Sequence, residues 1–141
     1  MTTLDQDIRS KLESAAMAVS GFPGTGRRAF EGVAYQPEPG EEWARLSIIW
    51  SDNTPRVSGA TNLRTGIFQV DLYAPFGLGT ADLAATGGAL RTAFRAGTRF
   101  ILAGGEALEI LNAQAVGAIF QEADWLRQTN EIRWQVSSTR L

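Results

Sequence analysis

Apolar side chains recur at helical spacing over residues 4–19, at Leu4, Ile8, Leu12, Ala15 and Val19. That spacing lines them up on one stripe and predicts an amphipathic helix. Thr3 is placed to cap its start, and Gly21 with Pro23 to end it. The segment GFPGTGRRAFEGVAYQPEPGEE follows, punctuated by Gly21, Gly24, Gly26, Gly32 and Gly40 and by Pro23, Pro37 and Pro39. It reads as turn and extended chain, with a short edge strand around Phe30–Tyr35. The period then changes to two. In WARLSIIW, residues 43–50, Ala44, Leu46, Ile48 and Trp50 share one face; Trp43, Arg45, Ser47 and Ile49 share the other. A polar loop, SDNTPRVSGATNLRT at 51–65, precedes a second strand, GIFQVDLYAP. There Phe68, Val70 and Leu72 oppose Gln69, Asp71 and Tyr73. Consecutive strands usually pair, so an antiparallel hairpin is the expected topology. Its connection is longer than a compact domain needs, which points to a functional or mobile loop.

APFGLGT turns the chain, and Thr80 is placed to cap a second helix with Leu83, Gly87, Leu90 and Phe94 on one stripe. Gly87-Gly88 weakens that helix by about 1 kcal/mol per residue relative to Ala, so close approach to a neighbouring layer is expected. Gly97 is a natural stop. Strand-like segments follow near Leu108–Gln114 and Ala118–Gln121, and EIRWQVSS forms the last strand. The sum predicts an α+β fold: two amphipathic helices on a mixed, mainly antiparallel sheet, in two layers. The sheet face away from the helices carries Trp43, Ile49 and Tyr73, and exposed aromatics gather at interfaces; a satellite core or mutual cross-strand packing is the rival reading for each.

A chain of 141 residues reads as one domain over 1–141, large enough for a core without staples. It contains neither Cys nor His. Disulfides, thiolate metal sites and imidazole-activated nucleophiles are therefore excluded. Lys11 is the only lysine, so the basic side is almost all Arg, whose planar fork suits carboxylate or phosphate. The net charge of −2 argues against a binder of duplex nucleic acid. Charges sum to −2 over residues 1–50, +2 over 51–105 and −2 over 106–141, a modest polarity along the chain. MTTLDQDIRS does not read as a signal peptide, and no apolar run is long enough to span a membrane. The expected setting is soluble and cytoplasmic.

The motifs that could carry chemistry fail one by one. FPGTGRR lacks the Lys-Ser/Thr ending and the flanking strand and helix of a phosphate loop. GLGT at 77–80 precedes a helix, but Asp82 stands where a dinucleotide fingerprint needs its third glycine. An acid there serves the helix dipole and repels pyrophosphate. Asp5 and Asp7 begin a calcium-loop pattern that Arg9 breaks. Glu38, Glu41 and Glu42, and the pair Glu106 and Glu109, have no apolar pocket to part their pKa values. No cofactor is implied. What remains is a set of candidate interface residues. Arg56 and Arg64 lie in the long loop, Tyr73 on the open sheet face, Arg91 and Arg95 four apart on the second helix, and Arg99 beyond its end. Ordinary solvation and pairing with Asp52 or Asp82 is the competing explanation for the arginines.

The order of these pieces is similar to that of one family. AYQPEPGEEWARLSIIW resembles an extended segment, a Pro/Gly turn and a Trp-Arg strand of the tail-terminator (tail-completion) proteins of long-tailed bacteriophages. GIFQVDLYAPFGLGTADL, with a helix closing in RTAFRAG, resembles the family's most specific block, and ADWLRQTNEIRWQV its terminal hairpin. Trp43 and Arg45 match the first block; Gly66, Phe68, Gln69, Val70, Tyr73, Pro75 and Gly79 match the second. The resemblance implies a non-enzymatic virion protein that caps the tail tube as a ring, typically a hexamer, at the head-proximal end. Its implied partners are copies of itself, the tail-tube protein and the head-tail connector protein, with transient contact to DNA in the ring lumen also open, and no membrane. Assembly would take place in the cytoplasm of the bacterial host. A connector or neck completion protein is the nearest alternative. A small ligand-binding or accessory module is the alternative of another class.

Overall fold

The computed structural model describes residues 2–51, 54–55, 62–77 and 79–138. Helix α1 covers Leu4–Met17 and α2 Ala81–Ala93; the strands are β1 Arg28–Phe30, β2 Trp43–Trp50, β3 Thr54–Pro55, β4 Asn62–Pro75, β5 Arg99–Ile101, β6 Ala107–Glu122 and β7 Trp125–Ser138.

Thr3 caps α1 as its sequence requires. Gln6 N–H donates to the Thr3 hydroxyl at 3.2 Å, and Thr3 N–H donates to Gln6 Oε1 at 2.8 Å. This reciprocal box satisfies two donors that the first turn otherwise orphans. Leu4, Ile8, Leu12 and Ala16 form the buried stripe. Each large aliphatic fully removed from water contributes roughly 1.5–3 kcal/mol, which holds α1 to the sheet. The helix stops at Met17, with Ala18 as its C-cap, so Val19 packs from the connecting turn.

The start of α2 departs from expectation. Thr80 makes no side-chain capping bond, and its φ of −112° with ψ of 1° is not the extended backbone that aims a cap at the next turn. The expected stripe of Leu83, Gly87, Leu90 and Phe94 is buried. Of the two central glycines only Gly87 is closely approached: a Cβ there would collide with Gln128 Oε1, whereas one on Gly88 would meet nothing.

The sheet runs β1-β2-β4-β7-β6-β5, with β3 added against β4. β1 pairs with β2 in parallel and every other ladder is antiparallel. Both helices pack on one face. Cross-strand rows such as Ile48, Phe68, Ile132 and Ala113 build a single main core with them. Gly66 lets β4 pass where a Cβ would come within 2.6 Å of both Ile49 O and the Trp134 ring.

Three boundaries differ from the sequence reading. The first edge strand lies at Arg28–Phe30, earlier than Phe30–Tyr35. β4 begins at Asn62, so Arg64 belongs to a strand and not to a loop. The two segments expected before the last strand are one strand, β6, whose register with β7 shifts between Ile110 and Asn112 and again between Val116 and Phe120. Gly117, with φ of 70°, sits in the second irregularity, which is where the alternation in the sequence breaks.

Candidate interaction surfaces

The six residues singled out as interface candidates are not gathered on one surface. Arg56 lies outside the described residues. Arg64 projects from β4 toward the helix layer. Its Nη1 donates to Asp5 Oδ1 at 2.6 Å and its guanidinium carbon stands 5.1 Å from the Trp50 ring centroid. With its side chain 13% exposed, it joins α1 to the sheet. Arg91 Nη1 donates to Asn130 Oδ1 at 2.6 Å, bracing α2 against β7. Arg95 lies past the end of α2, so the two do not share a helix face as expected. Arg95 is exposed. Arg99 is exposed on β5 and pairs with Glu109 of β6 at 3.6 Å. Intramolecular pairing thus accounts for Arg64, Arg91 and Arg99, with Asp5, Asn130 and Glu109 as the partners; Asp52 lies outside the described residues.

Tyr73 requires a correction. It is on the sheet face away from the helices, as alternation demands, but it is 1% exposed. The reason is local aromatic packing. Trp43, opposite it in the ladder, stacks on the Tyr73 ring at 3.9 Å and 5°. Trp125 meets Trp43 edge-on at 5.9 Å, and Tyr35 lies at 5.4 Å. Such pairs contribute about 0.5–1.5 kcal/mol beyond area burial. Arg45 extends over both Trp43 and Tyr73, at 5.4 and 5.8 Å. The cluster closes a second, smaller core at one end of the open face. Burial pushes the Tyr73 phenol up, opposed by the adjacent Arg127 guanidinium.

Of that face's apolar residues Ile49 is exposed, and further exposed apolar side chains lie at the sheet edges. In β6, Leu111, Val116 and Phe120 are all exposed, and residues 110–121 contain no charged side chain. β5 pairs only with Ala107–Glu109. Ile110 still bonds the segment before β5, its N–H donating to Thr98 O and its carbonyl accepting from Gly97 N–H, both at 2.8 Å; among the described residues, no strand pairs with the outer edge of β6 beyond it. Phe120 lies under the Arg127 guanidinium at 4.2 Å, and Arg127 is held by Glu122 at 3.0 Å. At the opposite sheet edge, Val33 is exposed beside a cleft of about 210 Å³ lined by Ala29, Tyr35, Arg45 and Ser47 among others. The sequence reading passed over these residues. The uncharged run was visible in it, but only the sheet order shows that the run occupies an edge.

Among the described residues no group of three or more acidic side chains is placed to hold a metal ion, and no helix is long and apolar enough to cross a membrane.

Residues 7–134 match the family described as "Phage tail terminator protein". No curated protein matches the sequence. Solved structures share the fold, two of them over nearly the whole chain. One, which carries no functional description, superposes with a TM-score of 0.68 at 16% identity over 94% of this chain and 92% of its own. The other is a chain from the virion of a native gene transfer agent particle, with a TM-score of 0.55 at 18% identity over 96% of this chain and 92% of its own.

Proposed function

We propose, from the premise that this chain belongs to the phage tail terminator family, that it ends tail-tube growth as a closed ring. Membership makes it a structural protein of the virion tail with no enzymatic role, and the observation that carries it is the family match over residues 7–134. The finer reading is a hexamer seated on the head-proximal end of the tube. One ring face matches the tube protein; the other offers no site for a further tube subunit and presents the surface that the head-tail connector meets. Closed rotational symmetry ends growth laterally, and a changed axial face ends it along the tube. DNA would cross the lumen without sequence-specific contact, in keeping with a net charge of −2. Assembly would precede joining, in the host cytoplasm.

Two features support this reading. One subunit closes a core of its own between helices and sheet, in keeping with a subunit stored until the tube is ready. It also leaves apolar side chains exposed at both edges of its sheet, which a freely soluble monomer would not be expected to keep. The test is a phage carrying a stop codon in the gene. The expected lysate holds tubes of unregulated length and separate DNA-filled heads. Normal-length tails joined to heads would contradict the proposal.

A further inference from the structure

The two apolar patches lie at opposite edges of the same sheet, and their heights along the strands agree. Val116 of β6 is opposite Thr129 of β7, Thr129 opposite Asp71 of β4, and Asp71 opposite Arg45 of β2. Arg45 lines the cleft beside Val33. Phe120 belongs to the row of Arg127, Tyr73 and Trp43, which is on the same, helix-free face. One edge therefore carries a protruding apolar group, with Val116 40% and Phe120 45% exposed. The other carries a cleft with Val33 63% exposed at its rim.

We infer that these edges are the two halves of one subunit interface: the Val116–Phe120 side of β6 seats in the Ala29–Val33–Arg45 cleft of a second copy of this chain. The inference rests on the ring reading above and specifies its contact. Three observations favour this occupant. An isologous pairing of two β6 edges would leave the Val33 cleft uncovered, whereas a head-to-tail contact buries both patches. Strand directions are compatible, since β6 runs opposite to β7, β4 opposite to β7, β2 opposite to β4, and β1 with β2. A neighbour laid alongside brings its β1 antiparallel to β6, the favoured ladder for an open edge. The equal height of knob and cleft requires no shift along the strands between neighbours, as a closed ring needs. Soluble monomers usually blunt such an edge with Lys, Pro or a charge. The 110–121 run has none of these, and of the edge-blunting devices it carries only its two register irregularities.

The chain has no cysteine, so introduced thiols report directly on the contact. The full-length chain is prepared as Val33→Cys, as Phe120→Cys and as both together. Light scattering of the wild type first establishes whether a closed assembly forms. With a short bismaleimide, the double variant is expected to give a ladder of linked multimers and the mixed single variants a dimer, with neither single variant linking to itself. A wild-type assembly of ring mass in which Phe120→Cys links to itself, or in which the ladder is absent, overturns this interface and leaves the ring reading standing. A monomer at every concentration, with no ladder on tail tubes, overturns both. As a second probe, Val116→Lys is expected to weaken assembly by roughly tenfold or more with Tm unchanged. Unimpaired assembly in that variant would contradict the inference.

Discussion

Trp43 lies flat on Tyr73 across β2 and β4, with ring centroids 3.9 Å apart and planes within 5°. The stack gives the helix-free face of the sheet its own small core, so the two residues stabilise the fold and are not available as a docking surface. The Tyr73 hydroxyl is buried beside the Arg127 guanidinium, which opposes the upward push of burial on the phenol. Tyr73→Phe is therefore expected to cost about 0.5–1.5 kcal/mol, since the buried Arg127 Nε loses the neighbouring oxygen. Trp43→Ala is expected to cost about 3–5 kcal/mol. Urea denaturation of both variants checks the pair, and unchanged or raised stability in Tyr73→Phe would show that the hydroxyl and Arg127 do not interact.

Arg64 sits between Asp5 and Trp50, and its loss should be felt in folding. The cation–π contact and the half-exposed ion pair each contribute up to about 1 kcal/mol, so Arg64→Ala is expected to destabilise by about 1–2 kcal/mol. Asp5→Asn, which keeps the packing over Trp50, is expected to cost less than half of that. Equal losses in thermal or urea melts would place the effect in the ion pair alone.

The adjacent glycines of α2 should respond in opposite directions. Gly88→Ala adds a methyl to open space and recovers helix propensity, a gain of about 0.5–1 kcal/mol. Gly87→Ala forces Gln128, itself buried, out of its place and is expected to destabilise. The measurement is the Tm of each single variant, and stabilisation of both would remove the packing explanation for Gly87.

Glu42 is partly buried next to Asp82 at the start of α2. Burial first, and then the neighbouring carboxylate, raise its pKa above the ordinary 4.5. The folded state then binds the Glu42 proton more tightly than the unfolded chain does. Its contribution to stability is full below pH 4.5 and is lost as pH rises through the raised value. Glu42→Gln should remove that loss. The Tm difference between variant and wild type is expected to grow in favour of the variant across this window, and a difference independent of pH would contradict the assignment.

Local patterning made the helices, the β2 and β4 faces and the α+β class legible in advance, because burial repeats with a period that one strand or helix sets by itself. The Thr3 cap was legible from its place just ahead of the periodic run; its reciprocal bond with Gln6 was not. What escaped depends on neighbours far along the chain. That Tyr73 is covered follows from Trp43, Trp125 and Tyr35 converging from three segments. That Arg64 faces the helices follows from β4 starting at Asn62, inside a polar stretch that reads as loop. The apolar edge of β6 was visible as composition and became a site only once the strand order placed it opposite Val33.

The central claim, that this subunit closes the end of a tail tube, is tested most directly by adding the purified chain to isolated tubes together with fresh tube protein. Electron microscopy then locates the bound chain and measures tube length. The expected result is density at one end of each tube only, with extension from that end stopped. Decoration along the tube wall, or tubes that lengthen as they do without the protein, would contradict it.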